Sequence, residues 1–162
     1  MEKLKKDILN CLNENGKYSV VELASMTGEP QEMVAAAIKE LEDSRTILKY
    51  SAVIDWDKVE GENVGAIITV KVKPQKLKGF DAFAEELCAF KEVQSLYLMS
   101  GGFDLAVIVK ANSLGEVARF VSESLSAVDG VIECSTHFIL KKYKVEGQST
   151  CEKSGNERLV VL

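Results

Sequence analysis

"VQSLYLMSGGFDLAVIVK" occupies residues 93–110. It reads as two strands, "VQSLYLMS" and "FDLAVIVK", joined by Gly101-Gly102, which has the two-residue length and the glycines of a tight hairpin. Upstream, "AIITVKVK" (Ala66–Lys73) alternates, with Ala66, Ile68, Val70 and Val72 on one face of a strand. Between them, "FDAFAEELCAF" places Phe80, Phe83, Ala84, Leu87 and Phe90 along one side of a helix. Downstream, "SLGE" (Ser113–Glu116) has capping-box spacing and opens a helix expected to bury Leu114, Val117, Ala118, Val121 and Leu125. A last strand runs from about Val131 to Tyr143. The order β-α-β-β-α-β is a ferredoxin-like split βαβ unit. The strand at 103–109 is apolar on both faces, with Phe103, Leu105, Val107 and Val109 on one and Ala106 and Ile108 on the other. Two helices cover only one face of four strands, so the other face is expected to meet a second protomer.

Ahead of this region the period is helical. Leu4, Ile8 and Leu12 recur along a first helix that Asn15-Gly16 stops. "SVVE" (Ser19–Glu22) is a capping box opening a second helix through Leu23, Ala24 and Met26, which ends at Thr27-Gly28. Pro30 suits the first turn of a third helix, with Val34, Ala37, Ile38 and Leu41 as its apolar stripe. "TILKYSAVIDW" (Thr46–Trp56) is β-branched and aromatic and reads as an extended wing and connector, with Tyr50 and Trp56 as packing between domains. Three helices and a strand make a winged helix-turn-helix. The whole is an α+β chain: residues 1–50 a winged helix-turn-helix, 51–64 a connector, 65–144 the ferredoxin-like domain and 145–162 a tail. The end of that tail, Leu159–Leu162, reads either as disordered or as adding to a neighbour's surface.

Composition narrows the function. With 46% apolar and 28% charged residues over 162 positions, the chain reads as soluble and globular. No apolar run reaches the roughly 20 residues of a membrane span, and "MEKLKKDILN" is not a secretory signal. Cys11, Cys88, Cys134 and Cys151 lack CxxC spacing, which points to reduced cytoplasmic thiols rather than disulfides or a metal site. No cofactor motif is present. The lone histidine, His137, is given no chemistry.

The segments "VELASMTG", "IKELEDSRTILKYSAVID", "VQSLYLMSGGFDLAVIVKA" and "GVIECSTHFILKKY" occur in this order and at this spacing. In them the chain resembles the Lrp/AsnC (feast/famine) family of transcriptional regulators, in register to about Tyr143. The ending "ERLVVL" resembles that of a subgroup. The resemblance implies an N-terminal winged helix on double-stranded DNA and a C-terminal effector domain of the RAM type. It also implies homodimers that commonly assemble into octameric discs, and amino-acid effectors bound between dimers.

The third helix sits awkwardly with DNA. "GEPQEMVAAAIKELE" (residues 28–42) holds four glutamates and one lysine. Across residues 1–48 there are six Lys/Arg against nine Asp/Glu, a net of −3. With Val34, Ala37, Ile38 and Leu41 inward, the outer stripe is Glu32, Ala35, Ala36 and Lys39, where two alanines offer only apolar contact to bases. The remaining donors are Lys17, Ser19 and Gln31 near helix N-termini, Lys39 on the stripe, and Arg45 and Lys49 flanking the wing. Binding per domain is expected to be weak and salt-dependent, reinforced by multivalency and by DNA shape. The competing reading is an oligomeric amino-acid-sensing protein whose winged helix has little DNA affinity.

"LMSGGFD" (Leu98–Asp104) resembles the family's effector loop, where Gly-Asp-Tyr-Asp is common: Gly101 and Asp104 match, while Gly102 and Phe103 replace Asp and Tyr. A glycine turn exposes amides to a carboxylate and an acid pairs with an α-ammonium. Candidate effector residues are Tyr97, Met99, Ser100, Gly101, Gly102, Phe103, Asp104 and Thr136. The missing polar groups point to an apolar amino acid, or to no effector, rather than to asparagine. The alternative is that Gly-Gly merely closes a hairpin and Asp104 is a solvated acid. The architecture also resembles siroheme decarboxylases, but with one His and Arg119 as the effector domain's only arginine the chain lacks groups for a polycarboxylate macrocycle, and no enzyme activity is expected.

Overall fold

The computed structural model describes residues 1–61, 64–73 and 79–151. The chain forms two compact units, Met1–Ile54 and the residues from Asp55 onward.

The first unit is three helices: α1 (Glu2–Glu14), α2 (Val20–Thr27) and α3 (Gln31–Asp43). Their apolar stripes meet in one core of Leu4, Ile8, Leu23, Ala24, Val34, Ala37 and Leu41, with Ile38 packed against it. Met26 does not join it and is half exposed. At the start of α2 the capping box is complete. Ser19 N and Ser19 Oγ both donate to Glu22 Oε2 at 2.7 Å, and Glu22 N donates to Ser19 Oγ at 3.3 Å. Those bonds hold the Glu22 carboxyl below its ordinary pKa, the Ser19 backbone bond contributing most. Gly28 closes α2 in the left-handed region (φ 73°), and Pro30 precedes the first residue of α3.

The expected wing strand is absent. Residues 48–55 form neither helix nor strand, and only a single 3-10 turn follows at Trp56–Lys58. β-branched composition favours extended backbone, but a strand also needs a hydrogen-bonding partner, and no strand lies in the first unit.

The second unit is a four-stranded antiparallel sheet with helices on one face. Its strands are β1 (Val64–Val72), β2 (Val93–Leu98), β3 (Leu105–Ala111) and β4 (Val131–Phe138), in the order β2-β3-β1-β4. Ala66, Ile68, Val70 and Val72 of β1 and Leu105, Val107 and Val109 of β3 face α4 (Asp81–Cys88) and α5 (Leu114–Arg119) across a core with Phe83, Leu87, Val117, Phe120 and Leu125. The β-α-β-β-α-β order is thus realised as the split unit.

Three details differ from expectation. The β2–β3 connection is six residues, 99–104, rather than two, and Phe103 lies in it. After Arg119 the helix opens into one π turn (Phe120–Ser124) and a 3-10 turn (Leu125–Ala127). Phe120 is buried, while Leu114 and Ala118, in the turns of α5 ahead of it, are exposed. β4 ends at Phe138 instead of Tyr143, because β1 runs out as its partner: Phe138 pairs with Ala66, and Ile139 N makes one further bond to Gly65 O (2.9 Å). A small hairpin follows, β5 (Lys144–Val145) and β6 (Gln148–Ser149), turned by Glu146 (φ 45°) and Gly147 (φ 79°). The pair of left-handed residues is the signature of a two-residue type I′ turn. The expectation for residues 159–162 lies outside the described residues.

Gly130 (φ 91°) enters β4 beneath Phe83, and a Cβ there would stand 2.6 Å from Phe83 Cζ. Gly130→Ala is therefore expected to lower stability by about 1–3 kcal/mol, since a core aromatic must move. A denaturant midpoint that shifts down at unchanged m-value checks this.

Candidate functional site

The rotation of α3 decides what the first unit presents. Burying Val34, Ala37 and Leu41 leaves Gln31, Glu32, Ala35, Ala36 and Lys39 exposed along one stripe. The acids of the same segment are not all on that stripe. Glu40 reaches back to Lys5 of α1 (2.6 Å) and raises that ammonium's pKa through the bond. Glu42 Oε1 accepts from Tyr50 Oη at 2.9 Å. Of the acids within α3, Glu32 and Asp43 share the centre of the outer stripe with Lys39, Asp43 lying four residues beyond it. Lys17, Arg45 and Lys49 are exposed, and among the described residues none of them, nor Lys39, lies in an ion pair. Ser19 differs from the other candidates because its hydroxyl is occupied as the helix cap. Neither the Lys5–Glu40 pair nor the Tyr50–Glu42 bond was legible in the sequence. Each joins residues of separate segments whose distance only the folded chain sets.

In the second unit the 99–104 loop is closed by Met99 N donating to Asp104 O (2.8 Å). Asp104 N donates to Val70 O (3.0 Å), and Asp104 Oδ2 accepts from Val72 N at 2.9 Å, where the β1–β4 register shifts. The acid that the sequence offers as an ammonium ligand is thus already holding the end of β1. Gly101 and Gly102 are exposed at the loop tip, and Gly101 has φ 148°. Tyr97 and Met99 are largely exposed beside them. Thr136 is not brought to this loop within one chain. It pairs with Ile68, four residues along β1 from Val72, which at ~3.3 Å per residue is about 13 Å.

The sheet face away from α4 and α5 carries Ile67, Thr69 and Lys71 of β1, Ala106, Ile108 and Lys110 of β3, Tyr97 of β2, and Glu133, Ser135 and His137 of β4. Lys71 and Glu133 pair across it at 2.8 Å. Trp56 holds the Lys110 ammonium 3.6 Å from its ring centroid. Trp56 is thus engaged within the second unit, as Tyr50 is within the first. An open concavity of about 730 Å³ lies apart from the 99–104 loop, with Lys91, Lys110 and Arg119 balanced by Glu92, Glu116 and Glu123. Among the described residues no cluster of His, Cys, Asp or Glu has the makings of a metal site, and no helix is long and apolar enough to cross a membrane. All four cysteines are free, and burial pushes the Cys134 thiol's pKa up.

Comparison with known proteins assigns both units. Residues 1–47 match the winged helix-turn-helix DNA-binding model, and residues 65–149 match the Lrp/AsnC ligand binding domain. The chain belongs to the Lrp/AsnC family. It is 47% identical over 156 residues to the uncharacterised HTH-type transcriptional regulator YugG of Bacillus subtilis, covering 96% of this chain and 94% of that one. It also resembles a Neisseria meningitidis transcriptional regulator solved as an L-Met complex, at 26% identity and a TM-score of 0.68, covering 93% and 94% of the two chains. The leucine response regulatory protein of Mycobacterium tuberculosis shares the fold, with a TM-score of 0.75 at 20% identity over 91% of this chain and 98% of that one. This Lrp/AsnC protein is a transcriptional regulator with a helix-turn-helix and a ligand-binding domain. Lrp/AsnC proteins are regulators rather than enzymes, which sets aside the decarboxylase alternative. The family's domain includes the 144–149 hairpin, beyond the Tyr143 at which the sequence resemblance was drawn.

Asp104 separates structure from ligand binding experimentally. Asp104→Ala removes a charge-assisted bond to Val72 N and is expected to cost about 1–2 kcal/mol. Asp104→Asn keeps an acceptor there and is expected to lose less than half of that. Urea midpoints of the two variants check the ordering.

Proposed function

We propose that this Lrp/AsnC regulator binds double-stranded DNA through the exposed stripe of α3, weakly per domain, and that a small apolar amino acid modulates it. The observation that carries the DNA half is the distribution of charge on α3. Two of its glutamates are engaged by Lys5 and Tyr50, and the outer stripe holds Gln31, Glu32, Ala35, Ala36, Lys39 and the terminal Asp43, with Lys17, Arg45 and Lys49 as flanking cations. A stripe with one Lys against Glu32 and Asp43 gives no net attraction. Affinity then depends on phosphate contacts by the flanking cations and on several copies acting together. Residues 1–50 are the DNA-binding domain in this reading, 65–144 the effector and oligomerisation domain, and the protein works in the cytoplasm.

The effector half rests on the loop and on the L-Met complex of the Neisseria relative. Exposed amides at Ser100, Gly101 and Gly102 suit a carboxylate. The free lone pairs of Asp104 suit an ammonium, and Tyr97, Met99 and Phe103 suit an apolar side chain. Thr136 lies too far along β4 to join them within one chain, so in this reading it comes from a second protomer. The apolar part of the open sheet face, Ile67, Ala106, Ile108 and Tyr97, supports a homodimer, and an octamer is the larger assembly envisaged.

The test is fluorescence anisotropy with a duplex from upstream of the protein's own gene and a mixed-sequence duplex of equal length, at several salt concentrations, with and without L-methionine or L-leucine. Specific binding with a steep salt slope and a shift on adding one of the amino acids is expected. Equal binding to both duplexes, or none at low salt, would make α3 a packing element and leave a sensor without a DNA partner.

A further inference from the structure

The end of β1 brings two acids to one lysine. Lys71 lies on the sheet face turned away from α4 and α5, opposite Glu133 of β4, and its Nζ reaches Glu133 Oε2 at 2.8 Å. On the β3 side, Asp104 binds the residues immediately before and after Lys71. Its N donates to Val70 O (3.0 Å), and its Oδ2 accepts from Val72 N (2.9 Å). Asp104, Lys71 and Glu133 therefore form a row across three neighbouring chain segments, at the foot of the 99–104 loop. The hydrogen bond to Glu133 raises the Lys71 ammonium's pKa, and the charge of Asp104 adds to it, so the lysine stays charged there. Neither Lys71 nor Glu133 is buried, which leaves the row open to a ligand.

We propose that Lys71 binds the carboxylate of the effector beside Asp104, which binds its ammonium, so that the ligand class is a free α-amino acid rather than an amine. The proposal rests on the effector reading and adds to it the cation which that reading lacks. The two charges of an α-amino acid hang from one carbon, so the groups that receive them must stand side by side. Asp104 and Lys71 do, because the acid is bonded to both backbone neighbours of the lysine. The amides of Ser100, Gly101 and Gly102 are neutral, whereas a charged donor makes a hydrogen bond to a carboxylate about twice as strong. Glu133 takes up one of the three N–H donors of the Lys71 ammonium, and the others remain for a ligand. Two acids around one lysine leave the row with an excess negative charge, which the ligand's ammonium neutralises.

Isothermal titration calorimetry of the full-length chain tests this with L-methionine, L-leucine and the two amines that remain when their carboxylates are removed. The wild type is expected to bind an amino acid roughly tenfold more tightly than its amine. Lys71→Gln should abolish that preference. The amino acid should fall to the level of the amine, while the amine binds no more weakly than before because both acids remain. Lys71→Met, which keeps the aliphatic stem without the charge, should behave in the same way, and Lys71→Arg should keep the preference. Removing a lysine that merely supported the loop would weaken both ligands alike. The exposed ion pair contributes little to the fold, and the melting temperatures of the variants check this. An amine bound by the wild type as tightly as its amino acid, a preference retained in Lys71→Gln and Lys71→Met, or both ligands weakened by the same factor would overturn the proposal. Binding of none of the four compounds by the wild type would instead sink the effector reading, and is seen before any variant is made.

Discussion

The burial of Val34, Ala37 and Leu41 in one core with Leu4, Ile8 and Leu23 sets the rotation of α3, and everything the first unit offers a ligand follows from it. A helix turned by one residue would bring Met33 inward and put Val34 in water. With buried Val34 and Leu41 opposing that, at about 1.5–3 kcal/mol each for burial, no surface charge can compete. The outer stripe is therefore dictated by the inner one. The same rotation carries Glu40 to Lys5, which adds little to stability because the pair is exposed. It does remove a negative charge from the side where DNA would lie.

The second unit is organised around β1, which pairs with β3 along one edge and β4 along the other. Its end is held by Asp104, whose backbone and carboxylate bind both Val70 and Val72. An acid at a loop with this structural duty can still accept from a ligand, because a carboxylate has about four lone-pair sites. In the proposed reading, in which this loop and Thr136 serve one ligand, the distance between them calls for a second copy of the chain. The sheet face proposed to meet a second copy mixes apolar, polar and charged residues. Its Lys71–Glu133 pair sits toward one end, beside the apolar patch of Ile67, Ala106 and Ile108.

Much of this was legible in the sequence. Helical spacing named the buried stripe of α3 and the core positions of β1. Gly28 and the Ser19–Glu22 box marked the limits of α2, because each rests on one chemical requirement local to the chain. What failed was non-local. The Thr46–Trp56 segment has strand composition without a strand partner. The π turn at Phe120–Ser124 interrupts the helical repeat, and nothing in a 3.6-residue pattern signals it. Gly101-Gly102 looked like a two-residue turn because the bonds that hold the longer loop come from Val70 and Val72, some thirty residues away. Likewise the left-handed backbone of Arg45 (φ 56°) was hidden, since a sequence names the side chain but not its backbone angle.

Hydrogen–deuterium exchange of the full chain, with and without a duplex from upstream of its gene, tests the central claim most directly. The account predicts that protection on adding DNA falls in α3 and in residues 45–49, with the α1 amides facing the core unchanged. Protection confined to the second unit, or none at all while the duplex is bound, would contradict it.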